Sequence, residues 1–130
     1  MTLQYSKKTM QHFLKPKNMG IIKNPDGVGK VGNPQCGDIM NVYIKVNKKN
    51  NTIKDIKFKT FGCASAIASS SVTTQLAKGK TLSDAKKITQ PQITKALHGL
   101  PKIKVHCSSM ASEALKLAIK DYEMKKKEIA

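Results

Sequence analysis

Residues 56–78 read IKFKTFGCASAIASSSVTTQLAK, and the hydrophobic period changes in the middle of the run. Ile56, Phe58 and Thr60 alternate with Lys57 and Lys59, the period of two expected of a strand with one buried face and one lysine face. From Ala64 the alternation stops. Small residues fill the run to Lys78, with Ile67, Val72 and Leu76 set among alanines and serines, and Gly79 follows. That pattern predicts a helix over 64–78 that packs closely on its neighbours and stops at a glycine. Cys63 falls at the junction of strand and helix.

Upstream, Met40, Val42, Ile44 and Val46 alternate with Asn41, Tyr43 and Lys45, and residues 47–51 have turn composition. The two strands therefore form a lysine-faced antiparallel hairpin. Residues 15–35 carry Pro16, Gly20, Pro25, Gly27, Gly29, Gly32 and Pro34, which predicts loop with one short strand around Gly29–Gly32. Before it, Ser6–Leu14 reads as a short helix capped by Ser6 and stopped by Pro16, with Met10, Phe13 and Leu14 on one side. Downstream, short helices are predicted over 82–88 and from Pro91 to Leu97, then an extended link at 102–105. The last helix, from about His106 to Lys126, carries Met110, Ala114, Leu117 or Ala118, and Tyr122 as one apolar stripe. Strands followed by helices make the chain α+β, and 130 residues with neither internal repeat nor linker predict one domain over 1–130.

Composition bounds the function. No run approaches a membrane span of roughly 20 apolar residues, and the amino end has no signal-peptide pattern, so the chain reads as intracellular and cytoplasmic, with an organelle matrix as the other reducing compartment. The formal net charge is +16, which by itself points to nucleic acid. All 24 basic residues are lysine, however, and the few aromatics do not interleave with them. Arginine forks and stacking platforms are thus missing, and acidic protein partners fit better than a specific nucleic acid.

The three cysteines carry the chemistry. Cys36 lies in GNPQCGD at 32–38, Cys63 follows Phe61 and Gly62, and Cys107 follows His106 directly. Buried structural cysteines usually stand among large aliphatic residues, whereas these stand beside glycine, aspartate and histidine. A thiolate at a helix amino terminus is favoured by the unpaired amides there, which predicts ready ionisation of Cys107 and of Cys63. The wide spacing does not match a zinc finger, so a metal site here would be assembled by the fold. Three thiolates with a carboxylate (Asp38) or an imidazole (His106) suit zinc or an iron-sulfur unit. A fourth ligand weaker than a thiolate suits a site that gives its cluster away. His12 and His98 read as surface or packing residues, and Met10, Met40 and Met110 as fillers of buried faces.

With these motifs in hand, the chain resembles the IscU family of iron-sulfur cluster assembly scaffolds, related to the amino-terminal part of NifU. The resemblance rests on Tyr5-Ser6, GNPQCGD at 32–38, FKTFGCASAIASSS at 58–71 and KVHCS at 104–108, in that order along nearly the whole chain. It implies a SufE/NifU-like α+β fold with a small three-stranded antiparallel sheet packed against several helices. It also implies a transient 2Fe-2S cluster built from Fe2+ and desulfurase-derived sulfur, with Zn2+ able to occupy the cluster-free site.

By matching position, Cys36, Cys63 and Cys107 resemble the cluster thiolates, with Asp38 and His106 as the exchangeable ligands. Cys107 resembles the acceptor of persulfide sulfur, and Lys104 is placed to stabilise its thiolate. Tyr5 resembles a residue tied to sulfur transfer or dimer contact. The implied role is scaffold and carrier, with no independent turnover. The implied partners are a cysteine desulfurase, acceptor apoproteins such as ferredoxin, and a second copy in a homodimer. The family's Hsc-type chaperone and frataxin are implied too, but the chain departs from the usual pattern at Lys102 and Ile103 for the first and at Ser109 for the second. The competing expectation is a zinc-dependent sulfur acceptor of the SufU type. Such proteins usually carry an insertion between the second and third cysteine regions and lack a histidine before the last cysteine, whereas here the spacing is compact and His106 is present.

Overall fold

The computed structural model describes residues 5–33 and 38–129. Along the chain come α1 (Lys7–Leu14), β1 (Gly27–Asn33), β2 (Asp38–Asn47), β3 (Thr52–Phe61), α2 (Ala64–Ala77), α3 (Leu82–Ala85), α4 (Gln90–Ala96) and α5 (His106–Ile129), with a single 3-10 turn at Lys102–Lys104. The three strands form one antiparallel sheet in the order β1-β2-β3. The expected α+β architecture is the one observed. No helix among the described residues is long and apolar enough to cross a membrane.

The hairpin forms where the alternation placed it. Val42 pairs with Phe58 and Ile44 with Ile56, and all four are buried. Ile53 and Ile56 are an odd number of residues apart, so a regular strand would send them to opposite faces. A register shift between Lys45 and Val46 corrects this, and both isoleucines reach the core. Helix α2 packs along β3 and α5 along β1 and β2, and the two helices touch each other over the same sheet face.

Strand β1 is longer than the glycine-rich sequence suggested. Its glycines serve close approach: a Cβ on Gly27 would stand 2.2 Å from the Ala118 carbonyl oxygen, and one on Gly29 2.0 Å from that of Ala114. Removing the side chains lets α5 lie directly on the strand. The Val28 N–H donates to Asp121 Oδ2 at 2.9 Å, so α5 also satisfies an edge-strand amide.

Helix α2 begins at Cys63 as N-cap, and Gly79 beyond its end takes φ +86°. Its buried positions are mostly alanine, serine and threonine. Thr73 and Thr74 donate their hydroxyls to the Ser69 and Ser71 carbonyls, while the hydroxyls of Ser65, Ser69 and Ser70 are buried with no partner.

Three sequence expectations are corrected. In α1, Ser6 does cap the helix, accepting from the Thr9 N–H at 3.0 Å, but Thr9 and His12 are buried and Leu14 is 69% exposed. The helix docks on the hydroxyl-rich α2, and His12 finds Ser71 there, so its buried side is polar rather than the Met10, Phe13 and Leu14 side. Helix α3 ends at Ala85 because the chain then turns so that Ile88 enters the core and Thr89 takes the extended cap of α4. Residues 102–105 are not extended: Lys104 N donates to the Pro101 carbonyl at 2.8 Å in a tight turn leading into α5. Of the two positions the sequence left open for the α5 stripe, Ala118 is the buried one and Leu117 is exposed.

Candidate functional site

Two of the three cysteines stand at helix beginnings that converge. Cys63 has the extended backbone of an N-cap, and its carbonyl accepts from the N–H groups of Ala66 and Ile67. Its side chain makes no capping bond, so the sulfur is turned elsewhere. Cys107 lies in the first turn of α5 and is fully buried. The first half of α5 is held by α4 and the segment before it: Thr94 Oγ1 donates to Ser108 Oγ at 3.0 Å, and Ser112 Oγ donates to the Ile88 carbonyl at 2.9 Å.

The Cys63 and Cys107 sulfurs are 3.9 Å apart, well beyond the about 2.05 Å of a disulfide. His106 Nε2 stands 3.7 Å from the Cys107 sulfur. Lys104 reaches the same group, and its pKa is raised above the ordinary lysine value. The largest cause is the negative charge of the Cys63 sulfur, opposed by burial and reinforced by a hydrogen bond to that sulfur, then by Tyr5 and Cys107. The sequence paired Lys104 with Cys107; both cysteine sulfurs act on the lysine, Cys63 more strongly. Tyr5 belongs to the same neighbourhood.

Cys36 lies outside the described residues. Asp38 starts β2 with its backbone paired to Asn33, and its side chain is likewise outside the description. Among the described residues no three His, Cys, Asp or Glu side chains are gathered as a metal site. His98 is exposed with φ 59°, and Met40 and Met110 fill the core.

Sequence reading missed an apolar pair at the rim. Ile39 and Phe61 face each other across β2 and β3 and are 47% and 63% exposed, with the Lys59 ammonium 5.8 Å from the centre of the Phe61 ring. Both residues are out of phase with the buried series Met40, Val42 and Phe58, and that parity was the available signal.

Comparison with known proteins gives the family. The sequence model of the NifU-like N terminal domain matches residues 4–129. The chain is 58% identical over 118 residues to iron-sulfur cluster assembly scaffold protein IscU 1 of Archaeoglobus fulgidus, covering 91% of this chain and 76% of that one. It is 48% identical over 127 residues to the IscU scaffold protein of Azotobacter vinelandii, covering 95% and 98%. Among solved structures, a putative iron-sulfur cluster assembly scaffold protein for the SUF system from Fervidobacterium islandicum superposes with a TM-score of 0.74 at 25% identity, over 88% of this chain and 96% of that one. By sequence and by fold, this chain belongs to the NifU-like N-terminal domain family.

Proposed function

We propose that this chain is a scaffold on which an iron-sulfur cluster is assembled from ferrous iron and desulfurase-derived sulfur, and from which the cluster passes to acceptor apoproteins. The observation that carries the reading is the 3.9 Å separation of the Cys63 and Cys107 sulfurs. Two thiolates at about 2.3 Å from a shared tetrahedral ion stand about 3.8 Å apart, so this pair can grip one metal with little rearrangement. The names of the IscU relatives support the same role.

In this reading Cys36 supplies the third thiolate, and Asp38 or His106 the fourth ligand. Three soft sulfurs with one harder ligand suit a 2Fe-2S cargo that must leave, and the same set suits zinc when no cluster is held. Such thiols need a reducing compartment, the cytosol or an organelle matrix.

Cys107 takes the sulfur. Its thiolate attacks the outer sulfur of the desulfurase persulfide; a new S–S bond forms on Cys107, the old one breaks, and the desulfurase cysteine leaves as thiolate. Lys104 and the two helix amino termini favour the charged sulfurs. Conversion of that sulfur to sulfide then takes two electrons from a separate donor protein. Ile39 and Phe61 give the rim an apolar patch that a docked desulfurase or acceptor protein can cover.

The test is anaerobic reconstitution with ferrous iron, cysteine and a desulfurase, followed by visible absorption. A 2Fe-2S spectrum is expected. A protein that keeps zinc, forms no cluster and merely speeds desulfurase turnover would be a sulfur acceptor of the SufU type, and the scaffold reading would fall.

A further inference from the structure

A second cavity, of about 430 Å³, opens between α1 and α2 and is lined by Lys8, Gln11, His12, Lys15, Lys17 and Gln75, with Leu14 at its edge. Lys8, Gln11 and His12 are spaced so that they share one face of α1, and Lys15 follows as its C-cap. Gln75 lies 12 residues beyond Cys63, about 18 Å along the axis of α2 at 1.5 Å per residue, so the cavity is separate from the cysteine group.

Its lining is cationic without compensation. Three other cavities each include a carboxylate, from Glu123, Glu113 or Asp121. This one includes none, and Lys8, Lys15 and Lys17 form no ion pair with a described carboxylate.

His12 supplies the second observation. The residue is only 5% exposed, and its Nδ1 is 2.7 Å from Ser71 Oγ. That hydroxyl already accepts the Lys17 N–H at 2.8 Å, and its own proton is satisfied by pointing at Nδ1. The neutral ring then carries its hydrogen on Nε2. Among the described residues Nε2 has no hydrogen-bond partner, and it is not one of the fully enclosed orphan atoms, so its N–H opens into the cavity that the ring lines. Burial first, then the Lys8 and Lys17 ammonium groups, hold the His12 pKa below the ordinary histidine value, which keeps the ring a neutral donor at pH 7.

We propose that the cavity between α1 and α2 binds a small polyphosphate, held by Lys8, Lys15 and Lys17 with His12 Nε2–H as a buried donor. Cavities of this size hold small molecules, but usually with mostly apolar walls. Walls of lysine, glutamine and a histidine N–H suit a compact multiply charged ligand instead, because charge-assisted hydrogen bonds to phosphate are the strong ones. The source is inorganic pyrophosphate or the phosphate chain of a nucleotide, which present the same chemistry.

The experiment is calorimetric titration of the full chain with inorganic pyrophosphate, ADP and adenosine at about 0.15 M salt, where loose surface attraction is screened. The His12 ring resonances are followed by NMR in parallel. Saturable one-to-one binding of pyrophosphate and ADP, none of adenosine, and a shifted His12 ring are expected. ADP binding no tighter than pyrophosphate identifies the phosphate chain as the whole determinant, and tighter ADP binding adds a nucleoside contact to the same site. The variant K8Q/K15Q should weaken binding at least about tenfold through lost charge-assisted bonds, whereas K48Q/K87Q, which removes the same charge elsewhere, should change it less than about twofold. Equal loss in both variants would reduce the effect to net charge and overturn the proposal. So would an unmoved His12 ring, or a hexaglutamate peptide that binds more tightly than pyrophosphate.

Discussion

Replacing Gly29 with alanine tests the packing that positions Cys107. The added Cβ would lie 2.0 Å from the Ala114 carbonyl oxygen, 2.6 Å from the Ala118 nitrogen and 3.0 Å from the Ala114 carbonyl carbon. A carbon and a carbonyl oxygen tolerate about 3.3 Å, so α5 and β1 must separate by roughly 1.3 Å. All three clashing atoms are backbone, and no rotamer change relieves them. A gap of 0.5–1 Å already forfeits about a quarter to a half of each van der Waals contact, and α5 buries Met110, Ala111, Ala114, Leu115, Ala118, Ile119 and Tyr122. Overpacking ordinarily costs about 1–3 kcal/mol, and a backbone clash places this variant at or above the upper end, about 3 kcal/mol. At about 4 °C per kcal/mol for a chain of this size, Tm should fall by about 10 °C or more. The assay is thermal unfolding by far-UV circular dichroism, with Gly32→Ala as control because nothing lies within 4 Å of its added Cβ. The control should stay within about 0.5 kcal/mol. If Gly29→Ala unfolds within a few degrees of the control, α5 does not rest on β1 as described.

Three further outcomes follow from named contacts. Cys107→Ser should abolish sulfur loading from a desulfurase, read as the mass increment of one sulfur per chain; an undiminished increment would move the acceptor role to Cys36 or Cys63. At Asp121, burial raises the pKa but is outweighed by the Val28 N–H and by Lys125, so the folded value lies below the ordinary one. Its contribution to stability is therefore complete above the unfolded value of about 3.9 and is lost as pH falls through the lowered folded value. Asp121→Asn should flatten the acid limb of stability against pH in that window, and an unchanged limb would remove Asp121 from the account. Ser70→Ala removes a buried hydroxyl that has no partner and should stabilise by about 1 kcal/mol in guanidinium unfolding, whereas a loss of that size would mean the hydroxyl is bonded.

The parts of the fold that follow a period are legible in the sequence. The alternation of Met40–Val46 against Ile56–Thr60 specified the hairpin, and the small residues after Cys63 specified a tightly packed α2. What failed was signal with two meanings. Glycine marks loops and also close approach, so Gly27 read as loop although α5 needs it, like Gly29, inside β1. Alternation alone does not reveal the register shift at Lys45 and Val46 that brings Ile53 and Ile56 to one face. The break at Gly99 and Pro101 suggested an extended link where a 3-10 turn forms. At the site, the placement of Cys63 and Cys107 at helix starts was readable because glycine and turn composition precede both. The pairing of Lys104 with Cys63 was not, since it depends on how α5 is set against α2. His12 gave no hint of its partner, because Ser71 is distant in sequence and one serine among several.

Cluster transfer tests the central claim most directly. The reconstituted protein is mixed anaerobically with an apo-ferredoxin in the presence of an iron chelator, and visible circular dichroism follows the signal of each protein. The scaffold account predicts that the 2Fe-2S signal passes to the ferredoxin faster than the chelator captures iron. A cluster that stays on the chain, or one whose iron goes to the chelator before any ferredoxin forms, would contradict it.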